Sequence, residues 1–351
     1  MTTYTLQQLG WGPAFLQDIN FDTENLDDVA RITAVHRNRY EAMDQAGSLD
    51  LRPAPDFLEA EDRPTIGDFI LVDRAQMRPA RLLPRKSLFK RKTPGKDRTT
   101  QLIAANVDTA FIVSSCNDDL NTARIERYLS MVREAAVMPV IVLTKADLVE
   151  DPQTYSDRAR SAAGGALVET LNAKDMSTLD PLRVWCGPGQ TIALVGSSGV
   201  GKTTLMNSLT GATDDTGDIR EDDAKGRHTT RSRTITLLTD GGWIIDTPGM
   251  RELGLTDVAE GLDETFGDIT DLAAICRFSD CAHEAEPGCA VQASVTAGEI
   301  DIERLARYKK LQREIRFNNE TLAERRTRMK QWGKEIKNAH AKRRALGDLK
   351  P

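Results

Sequence analysis

A glycine-rich loop is the part of the sequence whose residue types point most directly to chemistry. Residues 196–203 read GSSGVGKT, which fits the pattern G-x-x-x-x-G-K-[ST] of loops that hold nucleotide phosphates. The glycines let backbone N–H groups curl around the phosphates, and the following helix adds positive potential at its N-terminus. The residues expected to contact a nucleotide here are Gly196, Ser197, Ser198, Gly199, Val200, Gly201, Lys202, Thr203 and Thr204.

Two side chains of this loop, together with a second short motif, could neutralise the negative charge of a nucleoside triphosphate directly or through Mg²⁺. Lys202 would reach the β- and γ-phosphates, and the Thr203 hydroxyl would bind Mg²⁺. The segment from Asp246 to Gly249 reads D-T-P-G, in which the carboxylate would hold a Mg²⁺-bound water and the glycine N–H would meet the γ-phosphate. Alone this motif is weak, but about 40 residues after a phosphate loop it is a strong indication of a triphosphatase. We therefore assign Lys202, Asp246 and Gly249 to catalysis.

A third motif could select the base. Thr144, Lys145, Ala146 and Asp147 follow an apolar run and resemble the N-K-x-D signature of GTPases, with threonine in place of asparagine. A carboxylate accepts the adjacent N1–H and N2–H₂ donors of guanine as a bidentate pair, so Asp147 would read the base while the Lys145 stem covers it. A charged surface turn is the alternative interpretation of so short a pattern. Since asparagine braces the phosphate loop in that signature, threonine predicts looser nucleotide binding.

The order of these motifs is unusual. In ordinary GTPases the base-reading motif follows the phosphate motifs, whereas here it precedes the loop by about 50 residues. The same sheet can be built with the chain cut elsewhere, because a fold depends on packing rather than on where the termini fall. The order therefore predicts a circularly permuted GTPase domain. In such a domain the segment after Asp246 leads directly towards the C-terminal part of the chain and could pull on it.

The expected first switch lies between the two phosphate motifs, at residues 226–231. Either Thr229 or Thr230 should bind Mg²⁺ when GTP is present. Met250 stands where Ras-like GTPases carry the glutamine that orients water, and a thioether is too weak a hydrogen-bonding group to replace it. The intrinsic rate should therefore be low. His228 is the nearest candidate for a catalytic role, and the alternative is a histidine that contacts RNA or only solvent.

Three of the five cysteines crowd into one stretch beside a histidine. The spacing C-x₄-C-x-H-x₅-C supplies the donor set of a closed, tetrahedral structural zinc site, with three unrelated cysteines as the alternative. The ligands expected are Cys276, Cys281, His283 and Cys289. Cys116 and Cys186 lie apart from the cluster, and we expect both to be buried apolar residues. The low, odd cysteine count disfavours a disulfide framework.

Alternating strands and helices are predicted around the nucleotide motifs. A segment of helical spacing at 124–136 lies among compact apolar runs at 109–113, 139–143, 191–195 and 242–245. Apolar strands that alternate with helices indicate a parallel sheet covered on both faces. Residues 1–103 instead carry short extended segments punctuated by prolines, which predicts a small barrel or sandwich.

Positive charge is concentrated in two segments, although the chain of 351 residues has a net charge of −6. Residues 78–98 hold nine Lys/Arg and one acid, and residues 301–351 hold sixteen Lys/Arg against seven acids. The net charge excludes a chain that coats nucleic acid everywhere, but the two segments predict local RNA-binding faces. The first would be a basic loop presented by an OB-type barrel. A merely solvated face is the alternative.

Membrane and secretory classes are disfavoured. No apolar run approaches the roughly 20 residues needed to span a bilayer. The first residues, MTTYTLQQLGWG, lack the basic and apolar regions of a secretory signal. We therefore expect a soluble, cytoplasmic protein without a membrane partner.

Taken in order, these segments resemble the RsgA-type family, the small-subunit-dependent ribosomal GTPases of bacteria. The resemblance covers nearly the whole chain through GDFILVD, RLLPRKSLFKR, QLIAANVDTAFIVSSCNDDLN, TKAD, GSSGVGKTTLMN, GRHTTR, DTPGMRELGL and EPGCAV. It implies GTP hydrolysis stimulated by the small (30S) ribosomal subunit, with a role in late maturation of that subunit. It also implies a loop backbone contact with guanine O6 near residues 168–170, where Glu169 replaces a small residue.

The fold that we predict is α/β, with a circularly permuted P-loop GTPase domain between two smaller domains. Residues 1–103 would form an OB-type β-barrel that binds RNA, residues 104–270 the GTPase domain, and residues 271–351 a zinc-binding and basic helical domain. The cofactors expected are one structural Zn²⁺ and Mg²⁺ with GTP. The partners expected are GTP/GDP and the 30S subunit with its 16S rRNA, bound by a monomer.

Two other functions fit part of the sequence. A metabolic P-loop kinase would need a pocket for a small substrate and would leave T-K-A-D and the basic flanks as coincidence. An RNA-binding module with a degenerate nucleotide site is opposed by the intact Lys202, Thr203, Asp246 and Gly249. A preference for GTP without a phosphorylated product would exclude the kinase.

Overall fold

The computed structural model describes residues 3–53, 63–92, 100–212, 234–246 and 258–319. The strands within these ranges are β1 (Val29–Val35), β2 (Tyr40–Asp44), β3 (Gly47–Leu51), β4 (Phe69–Asp73), β5 (Arg78–Leu82), β6 (Leu88–Lys92), β7 (Thr100–Ala105), β8 (Thr109–Ser115), β9 (Met138–Thr144), β10 (Leu167–Thr170), β11 (Thr191–Val195), β12 (Thr234–Leu237) and β13 (Trp243–Asp246). The α-helices are α1 (Pro13–Leu16), α2 (Thr122–Glu134), α3 (Pro152–Arg160), α4 (Lys202–Thr210), α5 (Ala259–Thr265), α6 (Gly267–Ala274), α7 (Ala290–Ala297) and α8 (Ile302–Asn319). Short 3₁₀ segments cover Leu26–Asp28, Ala146–Leu148 and Met176–Trp185.

The nucleotide-binding half of the fold is a parallel sheet with apolar layers on both faces. Five strands follow the order β10-β9-β8-β11-β13 and run parallel, and β12 lies antiparallel beside β13. β11 is buried along its whole length, as expected of a strand covered on both faces. Helix α2 buries Ile125, Leu129 and Val132 in one apolar layer. The predicted alternation is confirmed, and it places the carboxyl ends of β9, β11 and β13 at one edge of the sheet.

The N-terminal part is an antiparallel sheet with the strand order β5-β4-β1-β2-β3. The N–H of Arg52, after β3, donates to the carbonyl of Met77, before β5, at 2.8 Å, so the two outer strands are linked as well. Aromatic side chains, among them Trp11, Phe15 and Phe69, fill one side of this sheet. The arrangement fits the small barrel expected from the sequence. A single bridge between β1 and β12 joins it to the nucleotide-binding sheet.

The basic segment after β5 differs from the expected exposed loop. Residues 88–92 form β6, which pairs with β7, and Phe89 is buried in the core of the nucleotide-binding half. Several cations of this segment are held in ion pairs within the fold: Arg81 with Asp18 and Glu24, Arg85 with Asp68, and Lys86 with Asp108. The expectation of a basic loop is therefore wrong for residues 78–82 and 88–92, because these residues form strands that pair with β4 and β7 and Phe89 is buried. Residues 93–99 lie outside the described ranges.

A buried arginine joins the barrel to the strand that leads into the phosphate loop. Arg31 on β1 is 1% exposed, and its guanidinium donates to the Leu9 carbonyl at 2.8 Å and to Thr191 Oγ1 at 2.7 Å. Burial lowers the pKa of Arg31 to about 10, which still leaves it charged at neutral pH. The indole N–H of Trp243 donates to the Gln8 carbonyl at 2.7 Å. These bonds fix the N-terminal residues against β11 and β13.

The C-terminal helices are fixed to α2 by a buried acid and a glycine. Glu126 on α2 is fully buried and accepts hydrogen bonds from Arg304 at 2.9 Å and Arg307 at 2.7 Å, both on α8. Removing one partner from such a buried cluster costs about 3–5 kcal/mol. Where α5 crosses α2, a Cβ on Gly261 would lie 2.0 Å from the Ser130 carbonyl oxygen, so only glycine fits. The C-terminal helices therefore pack directly on the nucleotide-binding half.

Membrane-spanning helices and domain boundaries are two further features on which the sequence offers an expectation. No helix within the described residues combines the length and apolar character needed to cross a bilayer. The division into three domains at residues 103 and 270 stays a prediction. The first of these positions falls within β7 and the second within α6.

Candidate nucleotide site and metal cluster

The phosphate loop, residues 196–201, joins β11 to α4. Gly201 has φ 91°, in the left-handed region that favours glycine, and a Cβ there would lie 3.1 Å from the Thr144 hydroxyl oxygen. Thr203 and Thr204 lie in the first turn of α4, where backbone N–H groups have no partner within the helix. The strand–loop–helix context predicted for this motif is confirmed.

The amine of Lys202 lies over the backbone of the loop. Its Nζ donates to the Gly196 carbonyl at 2.8 Å and also to the Ser197 carbonyl. A phosphate in the loop would replace these neutral acceptors with a charged one, and hydrogen bonds between charged groups are about twice as strong. The side chain is therefore placed to exchange backbone oxygens for phosphate oxygens.

The T-K-A-D segment lies against the same loop. Lys145, which follows β9, has φ 60°, and its Nζ donates to the Gly199 carbonyl at 2.7 Å, so that its stem extends across the loop. Asp147 follows in a 3₁₀ turn and is exposed. Within the part of the chain that the structure describes, no side chain pairs with the Asp147 carboxylate. It is therefore free to accept the two donors of guanine.

Thr144 supports the loop although asparagine is absent. Its buried hydroxyl lies 2.6 Å from the Val200 carbonyl oxygen and 3.1 Å from that of Ser114. A hydroxyl carries one proton, and the shorter distance indicates that it is donated to Val200. Threonine therefore also braces the loop, while the expectation of looser nucleotide binding stays a prediction. The short side chain suffices because β9 ends directly beside the loop.

We expect Thr144→Val to weaken nucleotide binding about tenfold. The substitution keeps the shape of the side chain but leaves the Val200 carbonyl without its donor, which costs about 1–3 kcal/mol in a buried place, and about 1.4 kcal/mol is tenfold. Thr144→Ser keeps the hydroxyl and should bind as the wild type does. Titration with a fluorescent guanine nucleotide measures both variants. Equal affinities of the valine and serine variants would exclude the brace.

The loop expected to meet guanine O6 does not fall on residues 168–170. These residues, Glu169 among them, lie within β10 and pair with β9. The chain leaves the strand at Leu171, whose carbonyl accepts a hydrogen bond from the N–H of Ala146 at 3.3 Å. Residues 168–170 are therefore strand residues rather than a loop, and the contact with guanine O6 stays a prediction.

β13 brings Asp246, the first residue of the D-x-x-G motif, to the same edge of the sheet. It ends at Asp246 and is the direct parallel neighbour of β11. Four other residues predicted to act on Mg²⁺, the γ-phosphate or water lie outside the described ranges; they are His228, Thr229, Thr230 and Gly249. Met250, which is predicted not to orient water, lies outside them as well. Their roles stay predictions.

The four predicted zinc ligands come together. The ligand atoms of Cys276, Cys281, His283 and Cys289 all lie within 4.8 Å of one another. Nδ1 of His283 is 3.6 Å from Sγ of Cys276 and 3.5 Å from Sγ of Cys289. Three thiols and one imidazole at these separations form the donor set that zinc prefers in structural sites.

Neighbouring helices orient the histidine of this cluster. His283 has φ 54°, and its carbonyl accepts hydrogen bonds from Gln292 Nε2 at 2.6 Å and Lys309 Nζ at 2.7 Å. Burial lowers the pKa of His283, and the charge of Lys309 lowers it further. A neutral imidazole is the form that binds metal. Cys289 caps α7 by accepting the N–H of Gln292 at 3.4 Å, so the cluster also defines where α7 begins.

The two remaining cysteines are buried apart from the cluster, as expected. Burial raises the pKa of Cys116 to about 11 and that of Cys186 to about 12. Both side chains therefore stay protonated thiols at neutral pH. They act as small apolar residues in the core.

One contact at the loop has no counterpart in the sequence motifs. Arg124, in the first turn of α2, donates to the Ser197 hydroxyl at 2.8 Å and to the Asp119 carboxylate at 3.0 Å. The hydrogen bond and the charge of Arg124 lower the pKa of Asp119. Asn121 caps the helix by accepting the N–H of Arg124 at 3.1 Å. That cap signal could have placed Arg124 in the first helical turn, but its contact with Ser197 depends on the sheet order.

The strand order and the position of the T-K-A-D segment define a circularly permuted GTPase. Two solved structures share the fold. YjeQ from Thermotoga maritima matches with a TM-score of 0.62 and 24% identity, covering 81% of this chain and 96% of that one. YloQ, described as a circularly permuted GTPase, matches with a TM-score of 0.55 and 24% identity, covering 84% and 96%. At this identity the likeness concerns the fold.

Sequence comparison gives the family. The family model described as RsgA GTPase matches residues 82–256. A relative from Vibrio vulnificus (strain CMCP6), named small ribosomal subunit biogenesis GTPase RsgA 2, is 46% identical over 344 residues, which are 98% of this chain and 97% of the relative. The RsgA protein of Mesorhizobium japonicum (strain LMG 29417 / CECT 9101 / MAFF 303099) is 47% identical over 318 residues, or 90% and 91%. The chain belongs to the RsgA GTPase family.

Proposed function

We propose that this protein binds GTP, hydrolyses it to GDP and phosphate, and acts on the small (30S) ribosomal subunit in a late step of its assembly. The observation that carries the proposal is the contact of T-K-A-D with the phosphate loop, through Thr144 and Lys145. The subunit is inferred from relatives that match over nearly their whole length and are named for its biogenesis. Contact with 16S rRNA, a monomeric state and a cytoplasmic location belong to the same proposal.

The residues at the carboxyl edge of the sheet would divide the work of hydrolysis. Lys202 and the backbone N–H groups of residues 196–203 would hold the β- and γ-phosphates. Thr203, at the start of α4, and Asp246, at the end of β13, would provide oxygen donors of the kind Mg²⁺ prefers. Bound Mg²⁺ supplies neutralisation of the charge on the β- and γ-oxygens. The N–H of Gly249 would orient the γ-phosphate, so catalysis rests on positioning and electrostatics.

The metal proposed for the Cys/His cluster is one zinc ion. Three thiolates and an imidazole complete a tetrahedron and leave no open position, so the role is structural. Cys289 begins α7, and Lys309 of α8 donates to the His283 carbonyl. A zinc ion held by these residues would fix the start of α7 relative to α8.

The function is tested by the hydrolysis rate of the purified chain with and without purified small subunits. Alone, the protein should hydrolyse GTP slowly, on the order of 10⁻⁴ to 10⁻² s⁻¹. Small subunits should raise the rate, and large subunits at the same concentration should not. ATP hydrolysis at the GTP rate, or a phosphorylated small molecule formed from a metabolite extract, would instead support the kinase.

The stimulated reaction gives a second prediction. Since Met250 cannot orient water, we propose that the small subunit orders residues 226–231 and places His228 beside the attacking water. His228→Ala should lower the stimulated kcat on the order of tenfold or more, while GTP affinity and subunit binding stay near those of the wild type.

Single-turnover assays with and without small subunits, at several GTP and subunit concentrations, separate the stimulated rate from GTP affinity and subunit binding. Thr229→Ala and Thr230→Ala serve as comparisons, because only the Mg²⁺ ligand should weaken GTP binding relative to GDP binding. If His228→Ala retained full stimulated activity, His228 would have no catalytic role and would contact RNA or only solvent.

A further inference from the structure

A positively charged groove runs between α2 and α8. It has a volume of about 210 Å³. Its lining residues are Asn121, Ala123, Arg124, Arg127, Arg307, Lys310 and Leu311. It is named the α2–α8 groove below. Of the lining residues just given, Arg124 also contacts the phosphate loop, and none is a predicted metal ligand.

Four of the residues that line the α2–α8 groove are cations, and none is an acid. Their counter-charges lie behind or beside it. Glu126, which pairs with Arg307, is fully buried, and Glu314, which pairs with Arg127, lies one helical turn along α8 from Lys310. Lys310 is exposed and has no ion-pair partner among the described residues. Asp119, which pairs with Arg124, and Glu303, 3.9 Å from Arg307, are exposed acids that do not line the groove. The described lining is therefore positive, and each of its arginines has an acidic partner outside that lining.

The size and lining of the groove indicate the kind of ligand. Its 210 Å³ lies below the roughly 300–1,000 Å³ of sites that enclose small organic molecules. The lining residues that the structure describes include no aromatic ring on which a base could stack. A phosphate group needs little more than guanidinium forks and an ammonium within reach of its oxygens. The groove offers three guanidinium groups and one ammonium group.

The cations form two facing rows. Arg124 and Arg127 on α2, and Arg307 and Lys310 on α8, are each three residues apart, so that each pair presents two charges on one helix face. A chain of phosphates can follow both rows, whereas a single anion could use only part of them. We propose that the α2–α8 groove binds the phosphodiester backbone of RNA. This inference rests on the proposed function, which supplies ribosomal RNA as the polyanion.

The α2–α8 groove shares one residue with the nucleotide site. Arg124 lines the groove and also donates to Ser197 of the phosphate loop. An RNA phosphate in the groove would compete with Asp119 and Ser197 for the same guanidinium. RNA bound there would thus alter a direct support of the phosphate loop, which gives the groove a physical connection to GTP hydrolysis.

Lys310→Ala tests the groove without touching the phosphate loop. The full chain, loaded with a non-hydrolysable GTP analogue, is titrated with a random-sequence RNA of 30 nucleotides and with purified small subunits at salt concentrations from about 50 to 200 mM. We expect about three- to tenfold weaker binding of both probes by Lys310→Ala. We also expect the slope of log K against log salt to fall by about 1, as for the loss of one phosphate contact.

Arg316→Ala is the matched control. It removes one charge from the same helix, at a position that lines a different depression beside Ala259 and Leu262. Its salt slope should equal that of the wild type. Lys310→Arg should restore both affinity and slope, because a guanidinium also binds phosphate.

The other possible outcomes distinguish failure of the groove proposal from failure of the proposed function. A wild-type chain that binds RNA through Lys310 but ignores small subunits would leave the groove standing and overturn the proposed function. Unchanged affinity and slope in Lys310→Ala would overturn the groove, as would a wild-type chain that binds no RNA. If Lys310→Ala weakened subunit binding but left the salt slope unchanged, Lys310 would contact a ribosomal protein rather than RNA, and the proposal would be wrong.

Discussion

Asp147→Asn will weaken GTP binding by roughly 30- to 700-fold. The carboxylate accepts both N–H donors on the edge of guanine, whereas an amide would bring its own NH₂ against the NH₂ of the base. Loss of a charged bidentate pair is worth about 2–4 kcal/mol, which corresponds to that range of affinities. Asp147 is exposed and unpaired within the described residues, so the thermal unfolding of the variant should match the wild type. Calorimetric titration with GDP and GTP measures the effect.

Xanthine nucleotides provide the control for Asp147→Asn. Xanthine carries a carbonyl in place of the guanine amino group, so an amide can donate to that carbonyl while it accepts from N1–H. The asparagine variant should therefore bind XDP more tightly than GDP. Asp147→Ala has neither group and should bind both weakly. If the asparagine variant bound GDP as tightly as the wild type, Asp147 would not be the residue that reads the base.

Cys281→Ser should remove the metal from the C-terminal cluster. A serine hydroxyl stays protonated and is a poor zinc ligand, and structural zinc contributes about 10–16 kcal/mol of apparent binding energy in small zinc domains. Elemental analysis should find about one zinc per wild-type chain and almost none in the variant. Loss of the metal should expose the region around α7 to limited proteolysis. GTP affinity should stay close to wild type, because Cys281 takes no part in the hydrogen bonds that Thr144, Lys145 and Lys202 make to the described phosphate loop.

Cys116→Ser separates the metal effect from the loss of a thiol. Cys116 is a buried cysteine outside the cluster, so this variant should retain its zinc even if it is less stable. Full metal content in Cys281→Ser would mean that the ligand set is wrong.

The motifs could be predicted from the sequence because each depends on a few neighbouring residues. The loop at 196–203 and the C-x₄-C-x-H-x₅-C spacing carry their chemistry within a short stretch of chain, and the buried strands are recognisable as apolar runs. The permutation followed from the order of motifs alone. The structure places the T-K-A-D segment against the phosphate loop, as that order required.

What could not be predicted depends on contacts between distant residues. The segment 88–92 reads as basic, yet its alternation buries Phe89, and only the pairing with β7 makes it a strand. The pairing of β10 with β9 places Glu169 in a strand, where a loop was expected. The hydroxyl of Thr144 replaces the missing asparagine because the loop lies within its short reach. None of these relations is carried by local composition.

The pairing of Glu126 bears on how the chain folds as it is synthesised. Its carboxylate lies in the first half of α2, but its two partners, Arg304 and Arg307, come 178 and 181 residues later. Domains fold from the N-terminus as the chain emerges, so for most of synthesis α2 carries an acid that must stay hydrated. The helix can take its final place only after α8 has left the exit tunnel. A chain that stops before Arg304 would keep every nucleotide motif and still lack the charges that allow α2 to bury its acid.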